Sequence, residues 1–86
     1  MEQITYTITD PNGIHARPAG LIVQTAKQYP CRTTLSLGER SADCKKLFGL
    51  MQMGIRAGDC ITITADGAES DAALRELERT MREAGL

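Results

Sequence analysis

The feature that most constrains the fold of this chain is the order in which two hydrophobic periodicities follow each other. Residues 3–9 alternate between apolar and polar side chains, as a half-buried strand does, and 32–37, 40–43 and 60–65 also have strand character. Apolar residues recur at helical spacing in three other segments, at about 18–28, 45–53 and 70–84. The order predicts an α+β open-faced β-sandwich (βαββαβα), a four-stranded antiparallel sheet with three helices on one face.

Turn and capping residues mark the ends of these segments. Pro30 ends the first helix, because the residue before a proline avoids the α region. Ser70 is predicted to be the N-cap of the terminal helix, with Asp71 in its first turn, and Gly85 suits the position after its end.

The size and charge of the chain exclude several classes of function. At 86 residues it is expected to form a single domain, 1–86, with one core. A net charge of -1 and 3% aromatic residues predict no binding to nucleic acid. No apolar run approaches the roughly 20 residues that span a bilayer, and the first residues do not resemble a signal peptide. We therefore expect a cytoplasmic protein without membrane insertion.

The cysteines give no sign of a disulfide framework or a metal site. Cys31, Cys44 and Cys60 are odd in number and lack the spacing of metal ligands. We expect three reduced thiols that act as small apolar residues.

The stretch 10–20 concentrates the chemistry of the chain. It contains the single histidine, His15, on the predicted turn between the first strand and the first helix. Pro18 suits the first turn of that helix, where free N–H groups and the helix dipole favour an anion. Arg17 opposes the dipole but binds phosphate or carboxylate well. These residues predict a small anion site, in which the anion is either bound or carried covalently on the imidazole.

Other interpretations of His15 remain open at this level. A lone histidine on a surface turn is usually a solvated residue. A metal site is not expected, because one histidine without nearby cysteines or paired carboxylates does not complete a coordination set. Nothing in the sequence resembles the local signatures of Ser-His-Asp hydrolases.

A second candidate surface lies in the short helix over 45–53. A helix of this length cannot bury five large apolar side chains on one side, so some of them should be exposed. In one interpretation Leu50 and Met53 fill the core and the others are scattered surface residues. In the other, the segment is a docking patch for partner proteins. The crowded side chains are Leu47, Phe48, Leu50, Met51 and Met53.

The motif Gly13–Ala19, with the sequence Gly-Ile-His-Ala-Arg-Pro-Ala, resembles that of HPr, the histidine-containing phosphocarrier family of the bacterial sugar phosphotransferase system. The resemblance extends along the chain and includes Leu47–Leu50 and Ala65–Gly67. It implies that His15 accepts a phosphoryl group on Nδ1 from phosphorylated enzyme I. The group then passes to the A domain of a sugar-specific enzyme II.

The same resemblance implies roles for the neighbours of His15. Arg17 and the backbone amides of Ala16 and Arg17 would neutralise the phosphoryl oxygens. No cofactor or metal is implied, and we expect a monomeric carrier that is not itself an enzyme. Both protein partners would recognise an apolar patch formed by Ala16, Gly20, Leu21, Leu47, Phe48 and Met51.

There are two alternatives to a carrier in sugar uptake, the first with the same chemistry and the second without it. One is an HPr-like paralogue in a regulatory or branch phosphorelay of the nitrogen or dihydroxyacetone type. The other is a binding module with a silent His15, against which the presence of Arg17 argues.

Many relatives carry a regulatory serine at the start of the middle helix, where this chain has Lys46. Because lysine cannot accept that phosphate, we expect no serine-based regulation at this position.

Overall fold

The fold is built on one antiparallel sheet. The structure is a computed structural model that describes residues 1–86. Its four strands lie in the order β1-β4-β2-β3, and three helices complete the chain. The predicted open-faced sandwich of order βαββαβα is confirmed. The elements are β1 (Glu2–Thr7), α1 (Ala16–Ala26), β2 (Arg32–Leu37), β3 (Arg40–Asp43), α2 (Leu47–Gln52), β4 (Cys60–Asp66) and α3 (Ser70–Glu83).

The register of the sheet separates an apolar face from a hydroxyl-rich face. β4 pairs with β1 on one side and β2 on the other, so that Ile63 lies opposite both Ile4 and Leu35. Successive side chains of a strand point to opposite faces, so Thr62 faces away from the helices. Its neighbours across the sheet are Thr5 and Ser36. One face is therefore left for solvent while the other covers the core.

The core lies between the apolar face of the sheet and the helices. It is a cluster of 19 buried apolar residues, to which α1 and α3 both contribute. Leu74, Leu77 and Met81 of α3 are buried, as the helical spacing predicts. Burial of a side chain such as Leu77 stabilises the fold by about 1.5–3 kcal/mol. The packing holds α1, and with it the residues before its first turn, in a fixed place on the sheet.

The prediction of Ser70 as the N-cap of α3 is wrong. The N-cap is Glu69, which has a left-handed backbone (φ 64°, ψ 24°) and makes no capping hydrogen bond with its side chain. The chain reaches this point from Gly67, which packs closely on Cys31 and itself has a φ of 124°. The path of the loop outweighs the preference for serine as a cap, which is about 1 kcal/mol. Asp71 does lie in the first turn.

The cysteines differ from the expectation in one case. All three are free, and Cys31 and Cys44 are buried in the core as small apolar residues. Cys60, however, is exposed. It lies opposite Thr7 in the register of β1 and β4, on the face that the helices do not cover.

The ends of several elements differ from the predicted ones by one or two residues, because terminal turns and strand ends fray. β1 ends at Thr7 and α2 covers Leu47–Gln52. None of the three helices has the length and hydropathy that a membrane span requires.

Candidate functional site

The loop between β1 and α1 is a hydrogen-bonded turn. The carbonyl oxygen of Asp10 accepts a hydrogen bond from the N–H of Gly13 at 2.9 Å. The side-chain Oδ1 of Asp10 accepts another from the N–H of Asn12 at 2.8 Å. This is the turn chemistry predicted for Asp-Pro-Asn-Gly, and it reverses the chain just before α1.

Gly13 joins this turn to the loop between α2 and β4. Its φ is 63°, and a Cβ at this position would lie 2.0 Å from the carbonyl oxygen of Ile55. The same oxygen accepts a hydrogen bond from the N–H of Ile14 at 3.3 Å. Only glycine allows two backbone segments to approach so closely. The residue after Ile14 is therefore held in place from two directions.

His15 is the N-cap of α1. Its backbone is extended (φ -100°), its carbonyl oxygen accepts the N–H of Ala19 at 3.0 Å, and its side chain is 43% exposed. An exposed imidazole at a helix N-terminus is accessible to another protein. This position excludes a histidine packed inside the sheet.

The first turn of α1 has two amide donors available beside His15. The N–H groups of Ala16 and Arg17 have no hydrogen-bond partner in the protein, and Pro18 has no N–H. The guanidinium of Arg17 is exposed and forms no ion pair. Unpaired amides at the positive end of a helix and a free guanidinium favour an anion. The predicted residues His15, Ala16 and Arg17 thus occupy the N-cap and the first two positions of α1.

Asp10 is a neighbour of His15 that the sequence reasoning treated only as a turn residue. Its Oδ2 lies 3.3 Å from Nε2 of His15. The backbone hydrogen bond from Asn12 lowers the pKa of Asp10, and the contact with His15 lowers this pKa further. The predicted turn could have indicated this contact, because a chain reversal over five residues brings the side chains of Asp10 and His15 close together.

The apolar residues of α2 divide between the core and the surface. Leu50 and Met53 are buried, whereas Phe48 is 75% exposed and Met51 is 39% exposed. Leu47 is partly buried against the core. Large exposed apolar side chains on one short helix are typical of a docking surface.

The predicted patch also includes residues of α1, which packs against α2. Ala16 is exposed, and Gly20 and Leu21 are half-buried. The patch therefore lies on two neighbouring helices, and its residue Ala16 directly follows His15. We use the term apolar patch for Ala16, Gly20, Leu21, Leu47, Phe48 and Met51.

Comparison with known proteins identifies the family. Residues 2–83 match the family model described as "PTS HPr component phosphorylation site". The chain is 42% identical over 80 residues to a multiphosphoryl transfer protein of Xanthomonas campestris pv. campestris, with 93% of this chain covered. It spans only 10% of that protein's length.

Solved structures agree in fold. The histidine-containing phosphocarrier protein of a Mycoplasma has a TM-score of 0.97 and 33% identity, and the match covers 99% of this chain and 97% of that one. HPr from Bacillus anthracis str. Ames has a TM-score of 0.83 and 30% identity, with 92% and 94% covered. This chain therefore belongs to the HPr family of phosphocarrier proteins of the phosphotransferase system.

Proposed function

We propose that residues 1–86 act as one phosphocarrier domain, which accepts a phosphoryl group on Nδ1 of His15 from phosphorylated enzyme I. The domain then passes this group to the A domain of a sugar-specific enzyme II during sugar uptake. The observation that carries the proposal is the half-exposed imidazole of His15 at the start of α1, whose first turn holds two unpartnered amides and an exposed Arg17 that forms no ion pair.

The chemistry of the transfer needs mainly positioning and charge stabilisation. The lone pair of Nδ1 attacks phosphorus while the bond from phosphorus to the donor breaks. The amides of Ala16 and Arg17 and the Arg17 guanidinium stabilise the negative charge on the phosphoryl oxygens. Imidazole is also a good leaving group, so that the same site releases the phosphoryl group to the next protein.

The apolar patch is the proposed contact surface for both partners. Exposed Phe48 and Met51 supply adaptable apolar area on α2, which packs against the helix that His15 caps. A carrier must leave each partner quickly, which a small interface allows. We propose that the protein works as a monomer in the cytoplasm, where both partners can reach it.

The direct test is incubation of the purified protein with phosphoenolpyruvate and enzyme I, followed by intact mass measurement. The wild type is expected to gain one phosphoryl group, which acid removes. His15→Ala is expected to stay folded without gaining it, because the side chain is exposed. An unmodified wild-type protein would overturn the proposal.

A parallel incubation with the donor protein of a nitrogen or dihydroxyacetone phosphorelay tests the branch alternative, which faster labelling by that donor would favour.

The role of Arg17 is tested by Arg17→Ala, with Arg75→Ala as the matched control. Arg75 is an exposed arginine on α3 that pairs with Asp71. Loss of Arg17 is expected to slow phosphoryl transfer about tenfold or more, since it removes a charge-assisted contact to the phosphoryl group. Arg75→Ala is expected to leave the rate unchanged. Equal rates for the two variants would exclude Arg17 from the site.

A further inference from the structure

The contact between Asp10 and His15 has a defined geometry. Each oxygen of the Asp10 carboxylate has one partner, Oδ1 the N–H of Asn12 at 2.8 Å and Oδ2 the Nε2 of His15 at 3.3 Å. The Asp10 side chain is only 16% exposed. Because Oδ1 is anchored on the backbone of its own turn, Oδ2 is held facing the ring.

This geometry determines which ring nitrogen carries the proton. An ionised carboxylate can only accept hydrogen bonds, so the nitrogen that faces it must be the donor. An aspartate is ionised at neutral pH, and the hydrogen bond from Asn12, together with the His15 contact, lowers the pKa of Asp10 further below its usual value. In a neutral imidazole with the proton on Nε2, the lone pair is on Nδ1.

No other charged side chain hydrogen-bonds to the ring. Arg17, in the first turn of α1, makes no hydrogen bond to the His15 ring. Arg56 and Asp59 lie in the α2–β4 loop that packs on Gly13, and they do not hydrogen-bond to the ring either. Oδ2 of Asp59 accepts the backbone N–H of Arg56 at 2.9 Å. Asp10 is thus the side chain that can select the tautomer of His15, and Nδ1 has no partner in the protein.

We propose that Asp10 is a positioning residue that holds one proton on Nε2 of His15 throughout the carrier cycle. The inference rests on the proposed function, in which Nδ1 carries the phosphoryl group. When the P–Nδ1 bond forms and the bond to the donor breaks, the ring becomes a phosphorylated imidazolium whose Nε2–H faces a carboxylate. When the P–Nδ1 bond breaks, its electron pair returns to Nδ1 and a neutral imidazole leaves. The Nε2 proton does not move in either step.

The test measures the tautomer of the unphosphorylated ring by ¹⁵N NMR, at a pH where His15 is neutral, in the wild type, Asp10→Ala and Asp10→Asn. In Asp10→Ala the Nδ1–H tautomer is expected to rise about threefold to tenfold, as fits the loss of a partly exposed charge-assisted hydrogen bond. Asp10→Asn is expected to raise it further. Its amide oxygen keeps the Asn12 bond, and its NH₂ group then faces Nε2 as a donor.

Asp59→Asn is the matched control, because Asp59 also accepts a backbone N–H but does not touch the ring. It is expected to leave the tautomer ratio at the wild-type value. The same ratio in the wild type and both Asp10 variants, all folded by their amide spectra, would overturn the inference. A merely structural role for Asp10 predicts that result.

A second readout follows phosphorylation by phosphoenolpyruvate and enzyme I. Asp10→Asn is expected to slow transfer more than Asp10→Ala does, in the order of their Nδ1–H populations. Rates in the opposite order would contradict the inference. The two proposals fail separately, because the tautomer is measured without any phosphoryl donor, whereas an unlabelled wild type would overturn only the proposed function.

Discussion

Gly13 shows how one residue determines the position of the site. Its left-handed backbone and its contact with the Ile55 carbonyl oxygen bring the loop before His15 against the loop after α2. His15 is the proposed phosphoryl acceptor, but its place on the surface depends on a residue with no side chain. A substitution at Gly13 therefore affects both stability and the contact between Asp10 and His15.

Gly13→Ala is expected to lower the free energy of unfolding by about 3 kcal/mol or more, from left-handed strain and a backbone clash. Gly38→Ala is the matched control, since Gly38 has a similar φ of 60° and a Cβ there would meet nothing within 4 Å. The control should lose only about 1–2 kcal/mol, from strain alone. Urea unfolding measures both, and equal losses would show that the contact with Ile55 does not constrain the loop.

At the scale of the element, α2 combines buried core residues and exposed residues of the proposed contact surface within six residues. Leu50 is fully buried, while Phe48 on the same helix is 75% exposed. Phe48→Ala is expected to change the free energy of unfolding by less than about 0.5 kcal/mol. It should nevertheless raise the KM for phosphorylated enzyme I, because the apolar patch loses its largest side chain.

Leu50→Ala provides the opposite case and is expected to cost about 2–5 kcal/mol of stability. Steady-state transfer kinetics and urea unfolding of both variants separate the two effects. An unchanged KM in Phe48→Ala would place the contact surface elsewhere on the molecule.

The start of α2 is not optimised for helix stability. Lys46 is the N-cap, with an extended backbone and no capping hydrogen bond from its side chain. Lys46→Ser is expected to be more stable than Lys46→Ala by about 1 kcal/mol, because a serine hydroxyl can accept a free N–H of the first turn. Thermal unfolding of the pair measures this difference. Equal midpoints would mean that this short helix does not respond to capping.

Local signals made most elements predictable, and they also gave the position of the candidate site at the start of the first helix. Alternation, helical spacing and turn residues act over a few positions, so the motif from His15 to Pro18 could be placed at a helix start. The exposure of Cys60 was also within reach, since period-two alternation places it on the face opposite Ile61. The prediction from the number and spacing of the cysteines did not distinguish Cys60 from the two buried thiols.

The remaining features depend on how distant segments meet. The cap of α3 at Glu69 follows from the path of the chain past Cys31, more than 30 residues earlier in the sequence. The division of α2 into buried Leu50 and exposed Phe48 depends on how the helix sits against its neighbours. The spacing along α2 indicated that some of its apolar side chains are exposed and left open which ones, and the spacing along α3 gave no sign of a cap at Glu69.

At the scale of the whole molecule, the buried thiol of Cys44 makes the stability of the fold depend on pH. Burial raises its pKa to about 12, because the interior disfavours the thiolate. In the unfolded chain a cysteine loses its proton near pH 8.5. Between these values the folded state keeps a proton that the unfolded state has lost, so stability must fall as the pH rises.

The free energy of unfolding is therefore expected to fall by about 1.4 kcal/mol per pH unit above pH 9 through Cys44. Cys44→Ala, although less stable at pH 7, should lack this part of the alkaline decline, so that its curve approaches the wild-type curve between pH 9 and 11. Cys60→Ala is the control, because Cys60 is exposed and its removal should leave the slope unchanged. Urea unfolding at intervals of pH gives the three curves. If the wild-type and Cys44→Ala curves stay parallel, the thiol ionises in the folded protein and the core around it opens to water.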